Sequence, residues 1–144
     1  MNTRDDWRRA VIAGHRAGVG HLDGEYTAGL FGERASRSAA VLAQHGASEA
    51  YHAAQPPDLV VFPDTVAEVQ QLVRLCAAHR TPIIPFGAGS SLEGHLLAVQ
   101  GGITIDLSEM NRVLTINPED LTVIVQAGVL RKQLNEELKS TGLF

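Results

Sequence analysis

Leu59-Val60-Val61-Phe62 is a wholly apolar run closed by Pro63, the pattern of a short strand covered on both faces. Thr65-Val66-Ala67-Glu68 follows and matches the S/T-x-x-E capping box, which satisfies two free backbone donors at a helix start. Val66, Val69, Val73 and Cys76 then recur at spacings of three and four, predicting a helix through about Ala78 with one apolar stripe. Thr81-Pro82 stops it, and Ile83-Ile84-Pro85-Phe86 predicts the next strand. Strand, helix and strand in this compass make a βαβ unit, normally right-handed with parallel strands.

From Gly101 the period changes to two. Ile103-Thr104-Ile105-Asp106-Leu107, Val113 to Ile116 and Thr122 to Gln126 predict a β-meander, with Asn117-Pro118-Glu119-Asp120 as the last turn. Leu130, Leu134 and Leu138 predict a final helix, with Gly142 as its C-terminal cap. Ahead of Pro56-Pro57 the periodicity is weak. Residues 5–17 and 33–45 each predict a short helix, separated by a glycine-punctuated stretch from Gly18 to Gly32. The chain therefore reads as an N-terminal helical segment, 1–55, followed by an α+β region, 56–144.

Composition narrows the class. A length of 144 residues with 44% hydrophobic and 19% charged residues is that of one ordinary globular domain, and excludes wholesale disorder or a collagen-like chain. No run approaches the ~18 apolar residues that span a bilayer, and the N-terminus has no apolar signal-peptide core. The single cysteine, Cys76, excludes an internal disulfide and a cysteine zinc cage, and makes the cytoplasm the expected compartment. Its place on the apolar stripe predicts a buried core residue rather than a nucleophile. Net charge is −4, and the densest basic spot, Arg4, Arg8 and Arg9, is interrupted by Asp5 and Asp6. Nucleic acid is therefore not an expected partner.

Candidate chemistry is concentrated in Pro85-Phe86-Gly87-Ala88-Gly89-Ser90-Ser91-Leu92-Glu93-Gly94-His95. Glycine lets the backbone approach a ligand closely, and successive amides can converge into a donor nest for an anion. Ser90 and Ser91 add hydroxyl donors. Two common phosphate loops do not fit. The dinucleotide fingerprint needs glycine where Leu92 stands and a helix directly after it, and the P-loop needs Lys where His95 follows Gly94. Residues 86–102 contain no Lys or Arg. Binding would rest on backbone amides and hydroxyls, which suits a diphosphate in a permanently bound cofactor. The same glycines also fit a surface turn that holds nothing, and the loop residues alone leave both readings open.

Taken together, Pro57-Asp58-Leu59-Val60-Val61-Phe62-Pro63, Val66-x-Glu68-Val69, Leu75-Cys76 and the Pro85–His95 run resemble the flavin-binding domain of the vanillyl-alcohol oxidase and p-cresol methylhydroxylase (PCMH) class. Within it the chain is most similar to the D-lactate dehydrogenase (cytochrome) and glycolate oxidase group. Gly101-Gly102-Ile103, Asp106-Leu107-Ser108-x-Met110-Asn111 and Val125-Gln126-Ala127-Gly128-Val129 extend the likeness, and His45-Gly46 with Glu49-x-Tyr51-His52 resembles the segment preceding the domain. The resemblance implies a PCMH-type α+β fold and FAD as cofactor. Gly87, Ala88, Gly89, Ser90, Ser91 and Gly94 would donate to the FAD diphosphate, with Pro85 and Phe86 setting the approach and His95 hydrogen-bonding near the cofactor or capping the loop. Relatives with covalently attached flavin usually carry Arg-x-Gly-Gly-His, from which Leu92-Glu93-Gly94-His95 departs.

The implied reaction oxidises a D-2-hydroxy acid, D-lactate to pyruvate first, and passes electrons to a cytochrome, a quinone or an electron-transfer flavoprotein. In this class the enzyme can be peripheral to a membrane. Alternatives within the class are glycolate, sugar or alcohol oxidation and a flavin-dependent transferase; outside it stands a truncated, non-catalytic fragment. Family members continue past Phe144, so these residues alone are expected to expose an apolar sheet face, bind FAD poorly and turn over nothing. No catalytic residue and no metal ligand is assigned. His15, His21, His45, His52 and His79 fit no zinc spacing and are expected at the surface or locally satisfied. Arg112 is expected to be exposed, and nothing brings Glu93 and Asp106 together as an acid/base pair.

Overall fold

In the computed structural model, residues 31–49 and 51–143 are described, and the helix expected over 5–17 lies outside them. The elements in chain order are β1 (Ala35–Ser36), α1 (Ala39–His45), β2 (Leu59–Val61), α2 (Val66–His79), β3 (Ile83–Phe86), β4 (Ile103–Asp106), β5 (Val113–Asn117), β6 (Thr122–Val125) and α3 (Arg131–Leu138). Each apolar run of the central region becomes a strand, and α2 fills the crossover between β2 and β3.

The sheet order is β1-β2-β4-β3, while β5 and β6 form a separate antiparallel pair. β4 is parallel to both of its neighbours, with Ile103 opposite Leu59 on one side and Ile83 on the other. The three-stranded meander expected from Gly101 onward is therefore a two-stranded hairpin. Its first strand went elsewhere because Ile103, Thr104, Ile105 and Asp106 are all buried, and a strand covered on both faces belongs in the middle of a parallel sheet.

One face of the sheet packs Leu59, Val61, Ile103 and Ile105 against Leu72 and Cys76 of α2 and against Phe31. The stripe on α2 differs by one residue from expectation. Leu72 is wholly buried, whereas Val66 and Val73 are 60% and 41% exposed. The helix presents the line through Val69, Leu72 and Cys76, which is equally periodic but turned about 100° from one through Val73. Cys76 is in the core as expected, and burial pushes its thiol up to about 11.

The helix expected over 33–45 is broken. Gly32–Arg34 form a 3-10 turn, β1 follows, and helix resumes only at Ala39. Long-range pairing overrides local propensity here, since Ala35 and Ser36 pair antiparallel with Val61 and Val60 at the sheet edge. Arg34 fixes that edge. Its guanidinium makes two bonds to the Glu68 carboxylate, at 3.0 and 2.6 Å, and lies 3.3 Å from Asp64. Glu68 also accepts from the Asp64 N–H and donates its own N–H to Thr65 Oγ1, which completes the cap of α2.

The Arg34 hydrogen bond is the main reason the Glu68 carboxyl is held down at about 2 from its ordinary 4.5. A depressed carboxylate stabilises the fold fully above its unfolded value and loses that contribution as pH falls through the folded one. Stability is therefore expected to drop between about pH 5 and pH 2, and Glu68→Gln to flatten that drop by about 1 kcal/mol, the scale of a solvent-bathed pair. Urea midpoints across this pH range check it.

β5, β6 and α3 leave an apolar surface, as expected. Leu114, Leu121, Ile124 and Leu130 are each more than half exposed, and a cavity of about 560 Å³ opens between Leu121, Val123, Leu138 and Leu143. Gly142 has φ +74° and closes the short 3-10 turn after α3. Among the described residues no helix is long and apolar enough to cross a membrane.

Candidate cofactor-binding site

The chain leaves the C-terminal end of β3 at Phe86 and returns to the start of β4 at Ile103 without forming a helix. Gly87 to Ser91 cross the rim of a cavity of about 300 Å³, lined by Pro85, Phe86, Gly87, Ala88, Gly89, Ser90, Ser91, His95, Leu96, Leu107 and Ala127. Eight of the nine expected site residues thus share one concavity. The ninth, Gly94, lies outside the lining. It has φ +75° and packs against His52, making the turn that brings His95 back to the cavity.

Among the described residues, no protein group accepts from the main-chain N–H of Gly87, Ala88, Gly89, Ser90 or Ser91. Five successive amides without a protein acceptor beside a cavity are the donor type that a backbone anion site uses. Gly89, at φ +69°, supplies the left-handed step in this run. A side chain at Gly87 would meet nothing within 4 Å, so that glycine leaves open space at the cavity. At Gly89 an added Cβ would lie 2.7 Å from Cζ of the buried Phe86 ring. The donor set suits a diphosphate. A volume of about 300 Å³ is at the small end of the ~300–1,000 Å³ usual for small-molecule sites, so this cradle fits part of a larger cofactor.

Ser91 and His95 are joined, with Oγ 3.2 Å from Nδ1, while Ser91 Oγ also accepts the Glu93 N–H. The Ser91 hydroxyl is therefore partly engaged inside the loop, whereas Ser90 is exposed and its hydroxyl has no protein partner among the described residues. Glu49 borders a smaller hollow on Ala88, Gly89 and Ser90, which places an acid rather than a base near the amides. Arg112 is exposed as expected, and its main-chain N–H and Nε both donate to Gln126. No group of three His, Cys, Asp or Glu able to hold a metal occurs among the described residues.

Two parts of the site had no assigned role in the sequence. Leu107 and Ala127 form the far wall, held by the close approach of Gly128 to the Leu107 carbonyl and by the Gly128 N–H bonded to Met110. Their local signals were the Asp106-Leu107-Ser108 and Ala127-Gly128 motifs, neither of which carried a role. The other part is His45, which is 3% exposed and hydrogen-bonded through Nε2 to Asp106 Oδ2 at 2.8 Å. Its Nδ1 is 2.8 Å from the Val41 carbonyl. Both ring nitrogens are thus engaged, one by each partner.

A mixed sheet whose glycine loop leaves a parallel strand and returns to the central one is also the fold of PCMH-type flavoproteins. Over 94% of this chain and 25% of its own, a p-cresol methylhydroxylase with substrate bound superposes with a TM-score of 0.70 at 24% identity. The family model described as FAD binding domain matches residues 57–144, and the chain belongs to that family. A probable mitochondrial D-lactate dehydrogenase of Danio rerio is 47% identical over 112 residues, covering 78% of this chain and 22% of the relative. A mitochondrial D-lactate dehydrogenase [cytochrome] of Arabidopsis thaliana is 46% identical over 88 residues, covering 61% and 16%. The chain thus spans about a fifth of these relatives' length, and FAD is the cofactor of its family.

Proposed function

We propose that the full-length protein carrying this chain is an FAD-dependent dehydrogenase of D-2-hydroxy acids, oxidising D-lactate to pyruvate and passing electrons to a cytochrome. What supports this is the cradle of free amides within a chain nearly half identical to a D-lactate dehydrogenase over most of its length. Two-electron acceptance from the α-carbon is the chemistry FAD supplies when bound.

The residues of this chain bind and orient. Main-chain donors from Gly87 to Ser91 would hold the diphosphate oxygens, each such bond to a charged acceptor contributing roughly 1.5–3 kcal/mol. Phe86 forms the floor, and Leu96 and Leu107 keep water from the inner wall. His95 orients Ser91 at the rim. Residues 56–144 form the first part of the flavin domain and 1–55 the segment leading into it. Groups that grip the hydroxy acid belong to the remainder of the protein, which also covers the apolar face around Leu114 and Ile124. That division is why these residues alone bind FAD poorly and turn over nothing.

Anaerobic mixing of the full-length flavoprotein with D-lactate, glycolate, a sugar acid and an alcohol tests the substrate class. D-lactate is expected to bleach the flavin about tenfold or more faster than the others. Bleaching by a sugar acid or an alcohol with D-lactate inert overturns the proposal.

A further inference from the structure

We propose that His45, which precedes the FAD-binding family match, is a positioning residue for the cofactor loop: clamped by Asp106, it fixes the Phe86 ring beneath Gly89. This rests on the reading of Gly87–Ser91 as the diphosphate cradle. The His45 ring is held at both ends, by Asp106 and by the Val41 carbonyl, so its plane cannot turn. One face lies against Phe86, with centroids 4.4 Å apart at 46°, and Phe62 meets it edge-on at 5.8 Å. Phe86 in turn stands under Gly89, so close that one added carbon there would touch its ring tip. The position of the Phe86 ring therefore sets how far the loop can sink, and His45 sets the ring.

The same pair reaches the opposite wall. Asp106 Oδ1 accepts the Ser108 N–H, which anchors the turn next to Leu107. Two more ties bind this segment to the loop. Gln55 donates to the Gly46 carbonyl and accepts from Ala98 beyond the loop exit, and His52 packs on Gly94 at its middle. A buried polar pair contributes little net stability against well-packed apolar replacements, so its role here is to specify one geometry.

The test is the dissociation constant of FAD for the apo form of the full-length protein, read by flavin fluorescence alongside the thermal midpoint. His45→Gln and Phe86→Leu are each expected to weaken FAD about tenfold, and the double variant no more than either alone, because both act through one contact. Leu72→Ala, on the opposite face of the sheet, is expected to lower the midpoint at least as far while leaving FAD affinity within about twofold. Gly89→Val reports on the cradle itself. If Gly89→Val loses FAD while His45→Gln and Phe86→Leu retain it, the positioning role is overturned and the cradle stands. If Gly89→Val retains FAD, the cradle falls and the positioning role with it. Phe86→Leu keeps the buried pair intact, so wild-type affinity there overturns the inference even if His45→Gln does not fold.

Discussion

Gly102→Ala is expected to destabilise the fold by about 4 kcal/mol, near the upper end of single substitutions. Gly102 has φ +105°, and an added Cβ would lie 2.4 Å from the Pro82 carbonyl oxygen and 3.0 Å from its carbonyl carbon. Those are backbone atoms, so no rotamer change relieves the clash. Retreat of the chain is blocked as well. The Gly102 N–H donates to the Asp58 carboxylate at 2.7 Å, and its carbonyl accepts the Asp58 N–H at 2.9 Å. Ile103 N–H also donates to the Pro82 carbonyl, which sets the register of β4 on β3. Strain of ~1–3 kcal/mol for a side chain in this region adds to the lost pairing. Against a domain stability of ~5–15 kcal/mol the variant should show a greatly lowered urea midpoint or fail to fold. A midpoint shift equivalent to less than about 1 kcal/mol would show that β4 starts differently from this account.

The second large effect falls on binding. Gly89→Val puts a β-branched residue at φ +69° and a Cβ 2.7 Å from the Phe86 ring, which His45 prevents from moving aside. The loop must lift, and the amides of Gly87 to Ser91 are displaced from the cavity rim. Loss of even one charge-assisted bond, at roughly 1.5–3 kcal/mol, is about a tenfold to hundredfold weaker FAD. The fold should survive, since Gly89 is outside every strand and helix. Apo-protein titration with FAD, with circular dichroism as the control for folding, reads this out. Wild-type affinity in a folded Gly89→Val protein would remove the loop from the cofactor site.

What the sequence reveals and what it hides divides along the range of the interactions. β2, α2 and β3 are legible because each is announced locally, by the Leu59–Phe62 run, the Thr65 and Glu68 cap, and the proline punctuation at Pro63 and Pro82. Both faces of β4 are buried, but its Ile-Thr-Ile-Asp alternation reads as one wet face, because Thr104 and Asp106 are polar residues on a dry one. Its pairing partners were therefore hidden. The stripe on α2 was missed by one position because Val69-Gln70-Gln71-Leu72-Val73 offers two equally periodic faces, and only the sheet chooses Leu72.

The site shows the same division. Eight lining residues were legible because glycine and serine chemistry is contiguous between Pro85 and His95. His45 and Asp106 are 61 residues apart, with no spacing rule to link them, and His45 sits ahead of the loop in the segment before the flavin domain. Leu107 and Ala127 are apolar lining, indistinguishable in sequence from ordinary packing.

The central claim is that this chain contributes the diphosphate cradle of an FAD site. Its most direct test is the flavin content of the purified full-length protein, by visible absorbance and by identification of the flavin released on denaturation. The account predicts equimolar FAD, released without proteolysis because His95 lacks the motif of covalent attachment. A colourless protein that takes up no FAD on refolding would contradict it.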